Sequence, residues 1–256
     1  MRIAVAGGTG LVGRLVVEAA RDRGHDVVVL ARSEGVDLTT GAGLAGRLDG
    51  VDVVIDVTNR GSQDREEAEA FFGDVTRTLL AAEAAAGVGH HVALSIVGID
   101  DVDTGYYAGK RFQELLIADQ DAVPWSVLRA TQFHEFAVQS LQFVAVGPFS
   151  FVPRMLSQPV AAREVAEALV LLAESDPAGR APDLAGPEQL QMVDLARRVS
   201  RARGLGRRVV PVRLPGAAGA AMRSGALTPT GPGPRGTVTF DEWLAAGDES
   251  RPPSGS

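Results

Sequence analysis

The chain has 256 residues, of which 45% are hydrophobic and 22% are charged, and its net charge is −7. These values predict one α/β domain with a sizeable core and argue against a disordered chain. Because the sequence has no cysteine, it excludes disulfides, thiolate metal sites and cysteine nucleophiles. No apolar run approaches the about 18 residues that a membrane helix needs, and the N-terminus does not resemble a signal peptide, so we expect a cytoplasmic protein without membrane contacts.

Strands alternate with helices along the first half of the chain. Near-continuous apolar runs predict strands over 2–6, 26–31, 51–57, 91–97 and 124–129. Helical spacing of apolar residues predicts helices over 11–23, 64–86 and 105–118. Since parallel strands need crossover helices between them, the alternation predicts an α/β, Rossmann-like, doubly wound parallel sheet with helices on both faces.

The second half of the chain is less regular. Two helices, one strand and a loop rich in proline and glycine are predicted there, at 163–174, 192–202, 208–214 and 225–236. No break in composition marks a second independent domain. We therefore predict a nucleotide-binding core, a small C-terminal substrate-binding extension of the same domain and a flexible tail, over 1–135, 136–247 and 248–256.

A glycine-rich turn lies between the first predicted strand and the first predicted helix. Glycine at 7, 10 and 13 permits a tight turn, lets backbone amides approach a pyrophosphate and allows close packing of strand on helix. A glycine-rich turn without a ligand is the alternative, but the strand–turn–helix context favours a dinucleotide. The predicted cofactor contacts in this turn are Gly7, Thr9, Gly10, Leu11, Val12 and Gly13.

The residue that follows the second strand predicts the choice of cofactor. NAD-selective sites usually carry an acid there, on the ribose 2′-hydroxyl. This chain carries Arg32 instead. Because a guanidinium matches a phosphate in bidentate fashion, Arg32 favours NADP(H) over NAD(H), the alternative being a solvated surface arginine.

The one lysine and both tyrosines of the chain lie within five residues. The other 24 of its 25 basic residues are arginine. Tyr106 and Lys110 are four residues apart, so a helix projects both from one face, where an ammonium is expected to lower the pKa of the phenol. Tyr106 could then exchange a proton with a carbonyl or alcohol oxygen, which Ser95 at the end of the preceding strand could hold. The alternative, a packed tyrosine beside a solvated lysine, is disfavoured because arginine serves as the cation everywhere else.

Six motifs together carry a family resemblance. They are Gly-Gly-Thr-Gly-Leu-Val-Gly-Arg (7–14), Ala-Arg-Ser (31–33), Val-Ile-Asp-Val-Thr-Asn (54–59), Ser-Ile-Val-Gly-Ile-Asp (95–100), Gly-Tyr-Tyr-Ala-Gly-Lys (105–110) and Leu-Arg-Ala-Thr-Gln-Phe (128–133). The chain resembles an atypical short-chain dehydrogenase/reductase of the NmrA-like group over nearly its whole length, less so after about residue 190. The resemblance implies a Rossmann-like fold and a bound NAD(P)(H).

The resemblance also implies roles for further residues. It places Asp37 and Leu38 beside the adenine, while the cofactor ribose is lined by Val57, Thr58, Asn59 and Lys110. Thr131 is implied beside the nicotinamide. The substrate contacts that we predict are Val97, Tyr107, Gln132, Phe133 and His134.

Two other groups of residues carry weaker signals. His90, His91 and His134 do not form a metal set, because no pair has i,i+4 spacing and no cysteine joins them. The basic cluster at 197–208 could contact nucleic acid, but in an acidic chain we expect the exposed end of a helix instead. We therefore expect a small-molecule substrate, no nucleic acid, no metal, and a monomer or homodimer.

These observations favour an NADPH-dependent oxidoreductase that reduces a carbonyl or enone of a small, largely apolar molecule. Tyr106 is the predicted proton donor, Lys110 its electrostatic partner and Ser95 the residue that holds the substrate oxygen. One alternative is a regulatory sensor of NAD(P) of the NmrA type. The resemblance implies a catalytic asparagine at a position other than 59, but Asn59 is the only asparagine of the chain. The lack of that catalytic residue favours the sensor. The other alternative is a redox-neutral isomerase or cyclase on the same scaffold.

Overall fold

The computed structural model describes residues 1–102 and 104–247, so the predicted tail at 248–256 lies outside the described residues. The chain forms two compact units. The first comprises Met1–Arg129 and Arg163–Pro182, and the second comprises Ala130–Ala162 and 183–247. The sequence assigned 163–182 to the C-terminal extension, but this segment returns to the first unit because it adds a strand to the sheet there.

The first unit is built on a six-stranded sheet. Its strands are β1 (Arg2–Ala6), β2 (Asp26–Leu30), β3 (Val53–Asp56), β4 (His90–Ile96), β5 (Trp125–Ala130) and β9 (Gly179–Arg180). Their order is β2-β1-β3-β4-β5-β9, and β1 pairs in parallel with both β2 and β3. The order therefore reverses between β1 and β3, and ligands of open α/β sheets bind at the carboxyl ends of the strands at such a switch point.

The helices of the first unit cover this sheet. They are α1 (Leu11–Asp22), α2 (Arg65–Ala86), α3 (Gly105–Ala118) and α5 (Ala162–Ala173). One core cluster joins Leu30 and Val54 of the strands to Val75 and Leu79 of α2. Helix α2 begins at the Asp64 cap, whose carboxylate accepts from the backbone N–H of Glu67, and ends at Gly87.

The second unit holds two small sheets and four helices within its described residues. Its elements are α4 (Phe136–Phe143), β6 (Ala145–Val146), β7 (Phe149–Pro153), β8 (Leu156–Ser157), β10 (Leu190–Gln191), α6 (Met192–Ala202), β11 (Arg208–Val212), α7 (Gly216–Ser224) and α8 (Phe240–Ala246). Strand β7 lies between β11 and β6, and β8 pairs with β10. Helix α6 buries one apolar face, which includes Leu195 and Val199.

Every strand and helix predicted for residues 1–130 is present, with ends within two residues of the predicted ones. The predicted α/β, Rossmann-like parallel sheet is thereby confirmed. In the second half, the helices at 163–174 and 192–202 and the strand at 208–214 are also present. The sequence missed α4, α7, α8, the five-residue strand β7 and the two-residue strands β6, β8, β9 and β10. Across residues 1–102 and 104–247, no helix has the length and apolar character that crossing a membrane requires.

Candidate active site

The glycine turn is built from backbone that leaves no room for side chains. Gly7 has a φ of +78°, and a Cβ atom on it would stand 3.0 Å from the Cα of Thr58. A Cβ atom on Gly13 would stand only 2.1 Å from the Gly7 carbonyl oxygen. The turn therefore brings the end of β1, the start of α1 and the chain after β3 into direct contact at the switch point.

The N-terminus of α1 offers an anion site at this turn. Gly10 caps the helix, and among the described residues no side chain completes the cap. Thr9 and Gly10 are exposed, Leu11 is half-buried, and the next residue, Val12, is buried. Because the first N–H groups of a helix have no intrahelical acceptor and carry partial positive charge, this end suits a pyrophosphate.

Arg32 lies where a cofactor 2′-phosphate was predicted to bind. It is exposed and begins a 3₁₀ helix, Arg32–Glu34, directly after β2. Nearby, the Asp37 carboxylate accepts hydrogen bonds from the Thr39 hydroxyl (2.6 Å) and backbone N–H (2.9 Å). These bonds lower the pKa of Asp37, and the positive charge of Arg32 lowers it further. Leu38, predicted beside the adenine, is buried.

Two buried hydroxyls lie close to the carboxyl ends of neighbouring strands. Thr58 follows β3, Ser95 lies near the end of β4, and the two strands pair in parallel. Neither hydroxyl has a hydrogen-bond partner among the described residues. Since buried polar groups in folded proteins are nearly always paired, two such hydroxyls at the carboxyl ends of the strands on one side of the switch point indicate ligand-binding groups. Together with the glycine turn, they fit a nicotinamide dinucleotide. Of the other residues predicted here, Val57 and Val97 are buried, and Asn59 is exposed.

Tyr106 and Lys110 share one face of α3, as predicted. The Tyr106 ring lies 5.7 Å from the ring of Phe72 on α2, and the Lys110 Nζ lies 4.8 Å from the same ring. The expected lowering of the Tyr106 pKa is wrong for this structure. Burial raises the pKa of the Tyr106 phenol, and the neighbouring Tyr107 raises it further. Burial of the half-buried Tyr107 likewise raises its pKa, to about 12.

Lys110 is buried and does not point into solvent. Its Nζ donates to the Oε1 of Gln113 at 2.5 Å. Burial lowers the pKa of Lys110 to about 8, although the carboxylates of Asp56 and Glu114 oppose this shift. Its ammonium is therefore directed to a specific acceptor within the protein, which spacing along the sequence could not reveal.

An ion cluster, missed in the sequence, joins buried Arg129 and Glu114 to exposed Asp100 in the loop that follows β4. The guanidinium of Arg129 on β5 donates to both carboxylate oxygens of Glu114 on α3, at 2.8 and 2.7 Å. It also donates to Asp100 in the loop at 2.7 Å. Bidentate pairing of this kind fixes geometry. The cluster therefore ties the loop to the strand and helix beside it.

Thr131, predicted beside the nicotinamide, and the predicted substrate contacts Gln132, Phe133 and His134 lie in the second unit. The Thr131 hydroxyl donates to the Gln158 carbonyl at 2.6 Å, and Phe133 is half-buried. The buried amide of Gln132 has no hydrogen-bond partner among the described residues, which is typical of a ligand-binding group. His134 has structural contacts, because its Nε2 donates to the Val238 carbonyl at 3.1 Å and its ring packs on Phe240 and Trp243. The roles of these residues stay predictions.

The remaining histidines and the basic cluster are engaged in internal contacts. The Nε2 of His90 lies 2.8 Å from the Oγ of Ser126, and burial lowers the pKa of His90 to about 4. The described residues contain no group of three or more acids and histidines that could hold a metal. In the basic cluster, Arg198 pairs with Asp241, and Arg203 lies over the Trp243 ring. These contacts are those of a helix surface.

Comparison with known proteins gives the family. The family model described as the NAD dependent epimerase/dehydratase family matches residues 3–97. The (4-alkanoyl-5-oxo-2,5-dihydrofuran-3-yl)methyl phosphate reductase of Streptomyces griseus subsp. griseus is 32% identical over 221 residues, which are 79% of this chain and 74% of that protein. This chain belongs to the NAD-dependent epimerase/dehydratase family. It is an NAD(P)-dependent oxidoreductase, and its place in the NmrA-like group stays a prediction.

Solved structures share the fold of this epimerase/dehydratase-family chain. The dTDP-glucose 4,6-dehydratase of Streptomyces venezuelae, with NAD bound, superposes with a TM-score of 0.70 at 19% identity, over 96% of this chain and 95% of that one. A short-chain dehydrogenase/reductase superfamily protein of Agrobacterium tumefaciens, also with NAD bound, superposes with a TM-score of 0.69 at 20% identity and the same coverage. At these identities, the likeness establishes the Rossmann-like fold alone.

Proposed function

We propose that the protein is an NADPH-dependent reductase of a carbonyl or enone in a small, largely apolar molecule. One observation carries the proposal. The unpartnered, buried hydroxyl of Ser95 lies near the carboxyl end of β4, and the next helix, α3, carries Tyr106 and Lys110 on one face. A hydrogen-bond donor for an oxygen, a proton donor and a cation are the groups that carbonyl reduction needs.

The relative from Streptomyces griseus supports the enone class of substrate. The compound in its name contains a ring double bond conjugated to the ring carbonyl and to the alkanoyl carbonyl. Such a double bond accepts a hydride at its β-carbon, which is the carbon farther from the carbonyl groups, while negative charge develops on a carbonyl oxygen. The same protein groups therefore serve a carbonyl or an enone, because in both reactions an oxygen gains charge and then a proton.

Different residues of this chain would hold the different parts of the cofactor. The glycine turn and the N-terminus of α1 would hold the pyrophosphate, and Thr58, Asn59 and Lys110 would hold the ribose. Arg32 would pair with the 2′-phosphate, which is the reason to propose NADPH. When bound, NADPH supplies the hydride that reduces the substrate carbon.

The proton comes from the protein. Ser95 donates a hydrogen bond to the substrate oxygen, and Tyr106 transfers its phenolic proton to that oxygen as charge develops there. Lys110, one helical turn away, stabilises the tyrosinate that remains until solvent returns the proton. Burial raises the pKa of Tyr106, which keeps the phenol protonated but makes it a weaker acid. The proposed proton transfer therefore depends on the Lys110 ammonium to stabilise the tyrosinate.

The test uses a butenolide that carries an alkanoyl group, as its hydroxymethyl phosphate and as the free alcohol, together with simple enones and ketones. We expect NADPH to be consumed and the product to gain two hydrogen atoms with at least one of them. Binding of NADPH without consumption across the panel would contradict the proposal and favour a sensor. A product of unchanged mass would favour redox-neutral chemistry.

A further inference from the structure

A continuous chain of buried hydrogen bonds connects β3 to Lys110. The Lys110 Nζ donates to Gln113 Oε1 at 2.5 Å, and Gln113 Nε2 donates to Asp56 Oδ2 at 2.7 Å. The other oxygen of Asp56 accepts from the backbone N–H of Thr58 at 2.8 Å. Lys110, Gln113 and Asp56 are 3%, 1% and 0% exposed, so water does not compete for these bonds.

The charges at the two ends fix the orientation of the Gln113 amide. An ammonium has only donors, and a carboxylate has only acceptors. The amide can therefore satisfy both only when its oxygen faces Lys110 and its NH₂ group faces Asp56. Because Asp56 is held by the backbone after β3, the position of the Lys110 ammonium is set from the sheet and not by its own helix alone.

We propose that Gln113 and Asp56 are positioning residues that hold the Lys110 ammonium where it serves the cofactor ribose and Tyr106. This inference rests on the proposed function for the role of Lys110. One N–H of the ammonium donates to Gln113, so two N–H groups remain for other partners. The hydrogen bond to Gln113 fixes the directions of those two N–H groups, because it removes the rotation that a long lysine side chain otherwise keeps.

Charged and titratable groups face Lys110 from two neighbouring strands and from its own helix. Asp56 faces it from β3 and Glu114 from its own helix, while His91 of β4 interacts with it and with Asp56. The Nδ1 of His91 lies 2.9 Å from Glu83 of α2. Burial acts to lower the pKa of His91, but the Glu83 carboxylate opposes it, and the pKa is raised. The Asp56 carboxylate is the only one of these groups that is connected to Lys110 through Gln113 in the described residues.

Since Lys110 is the only lysine, its titration can be observed directly. Full-length protein that is labelled with ¹³C at the lysine ε-carbon gives one side-chain NMR signal, whose shift reports the charge of Lys110. We expect a midpoint of about pH 8 in the wild type. Gln113→Met, of similar length but without hydrogen-bonding groups, should lower the midpoint by about one pH unit. Gln120→Met is the matched control, because Gln120 bonds only backbone groups near the end of α3.

Asp56→Asn provides a second variant that keeps the volume of the side chain and the contact with Thr58. It should lower the midpoint at least as far, because it removes a negative charge and offers an NH₂ group that turns the Gln113 amide away from Lys110. This variant decides the question if Gln113→Met does not fold. An unmoved Lys110 midpoint in a folded variant, with only a lower Tm, would overturn the proposal and leave a structural role.

The affinity for NADPH separates the positioning role from the proposed function. We expect Gln113→Met to weaken NADPH binding about tenfold, while Gln120→Met binds as the wild type does. A shifted midpoint with unchanged NADPH affinity would overturn the positioning role at the ribose. If the wild type does not bind NADPH at all, the proposed function fails, yet the titration without cofactor still tests whether Asp56 and Gln113 control Lys110.

Discussion

The glycine turn and the Tyr106–Lys110 face of α3 contribute to the same candidate site by different physical means. In the turn, the backbone excludes side chains, since even one added carbon on Gly13 would overlap the Gly7 carbonyl oxygen. On α3, buried side chains define the site through hydrogen bonds and charge. Steric requirements can therefore be recognised from a sequence, whereas the pKa of a side chain depends on burial and partners that only the fold supplies.

The largest effect is expected for a side chain of α3. Tyr106→Phe removes the proton donor, so turnover should fall by about 10²–10⁴-fold while NADPH binds nearly as before. Tyr107→Phe is the matched control and should change the KM for substrate more than kcat. Steady-state rates and NADPH titrations of the two variants provide the comparison. Full turnover by Tyr106→Phe would mean that the proton comes from elsewhere.

Gly13→Ala tests the close backbone packing of the glycine turn. The added Cβ would stand 2.1 Å from the Gly7 carbonyl oxygen, so the turn or α1 must move. We expect the free energy of unfolding to fall by about 3 kcal/mol and NADPH binding to be lost. Gly61→Ala is the control, because no described atom lies within 4 Å of its added Cβ. Normal NADPH affinity in a folded Gly13→Ala protein would contradict the role of the turn.

Arg32→Ala tests a contact that involves a side chain at the end of a strand. Loss of a charge-assisted bond to the 2′-phosphate should cost about 1.5–3 kcal/mol of NADPH binding and leave NADH binding unchanged. Arg77→Ala, an exposed arginine on α2, serves as the control. Calorimetric titration with both cofactors measures the difference. Equal affinity of the wild type for NADPH and NADH would refute the proposed preference.

The smallest effect is expected for the basic cluster, which belongs to neither half of the site. Replacing Arg201, Arg203 and Arg207 by alanine should leave NADPH affinity unchanged and cost about 1 kcal/mol of stability, mainly through the contact of Arg203 with Trp243 and the hydrogen bond from Arg207 to the Gly147 carbonyl. In mobility-shift titrations with duplex DNA, the wild type should form no salt-resistant complex. A tight, sequence-selective complex would favour a regulatory protein.

The first unit was predictable because its signals are local. Apolar runs, helical spacing and the glycine turn each lie within one element or one junction. Ser95, Tyr106 and Lys110 could be found because the only two tyrosines and the only lysine of the chain lie in one predicted helix, and Ser95 lies near the end of the strand that precedes it. The contact from Gln113 to Asp56 could not be found, since it joins residues 57 positions apart in the sequence. The rise in the pKa of Tyr106 was missed for the same reason, because burial depends on distant packing.

The second unit was less predictable because most of the elements that were missed there are short. Strands β6, β8 and β10 have two residues each, too few for any periodic pattern. Helix α7 contains glycine at 216 and 219, which lowers helix propensity. Helix α8 did carry a signal, because Thr239 and Glu242 form a capping box, and a search for this motif would have found its start.

In the proposed reaction, this chain transfers a hydride from NADPH to a substrate carbon while Tyr106 supplies the proton. NADPH that carries deuterium on the reactive face of its nicotinamide ring tests both steps, with any substrate that the panel identifies. We expect the wild-type product to contain one deuterium on carbon and one solvent-derived hydrogen, and Tyr106→Phe to form this product far more slowly. A product without deuterium would contradict the proposed reaction.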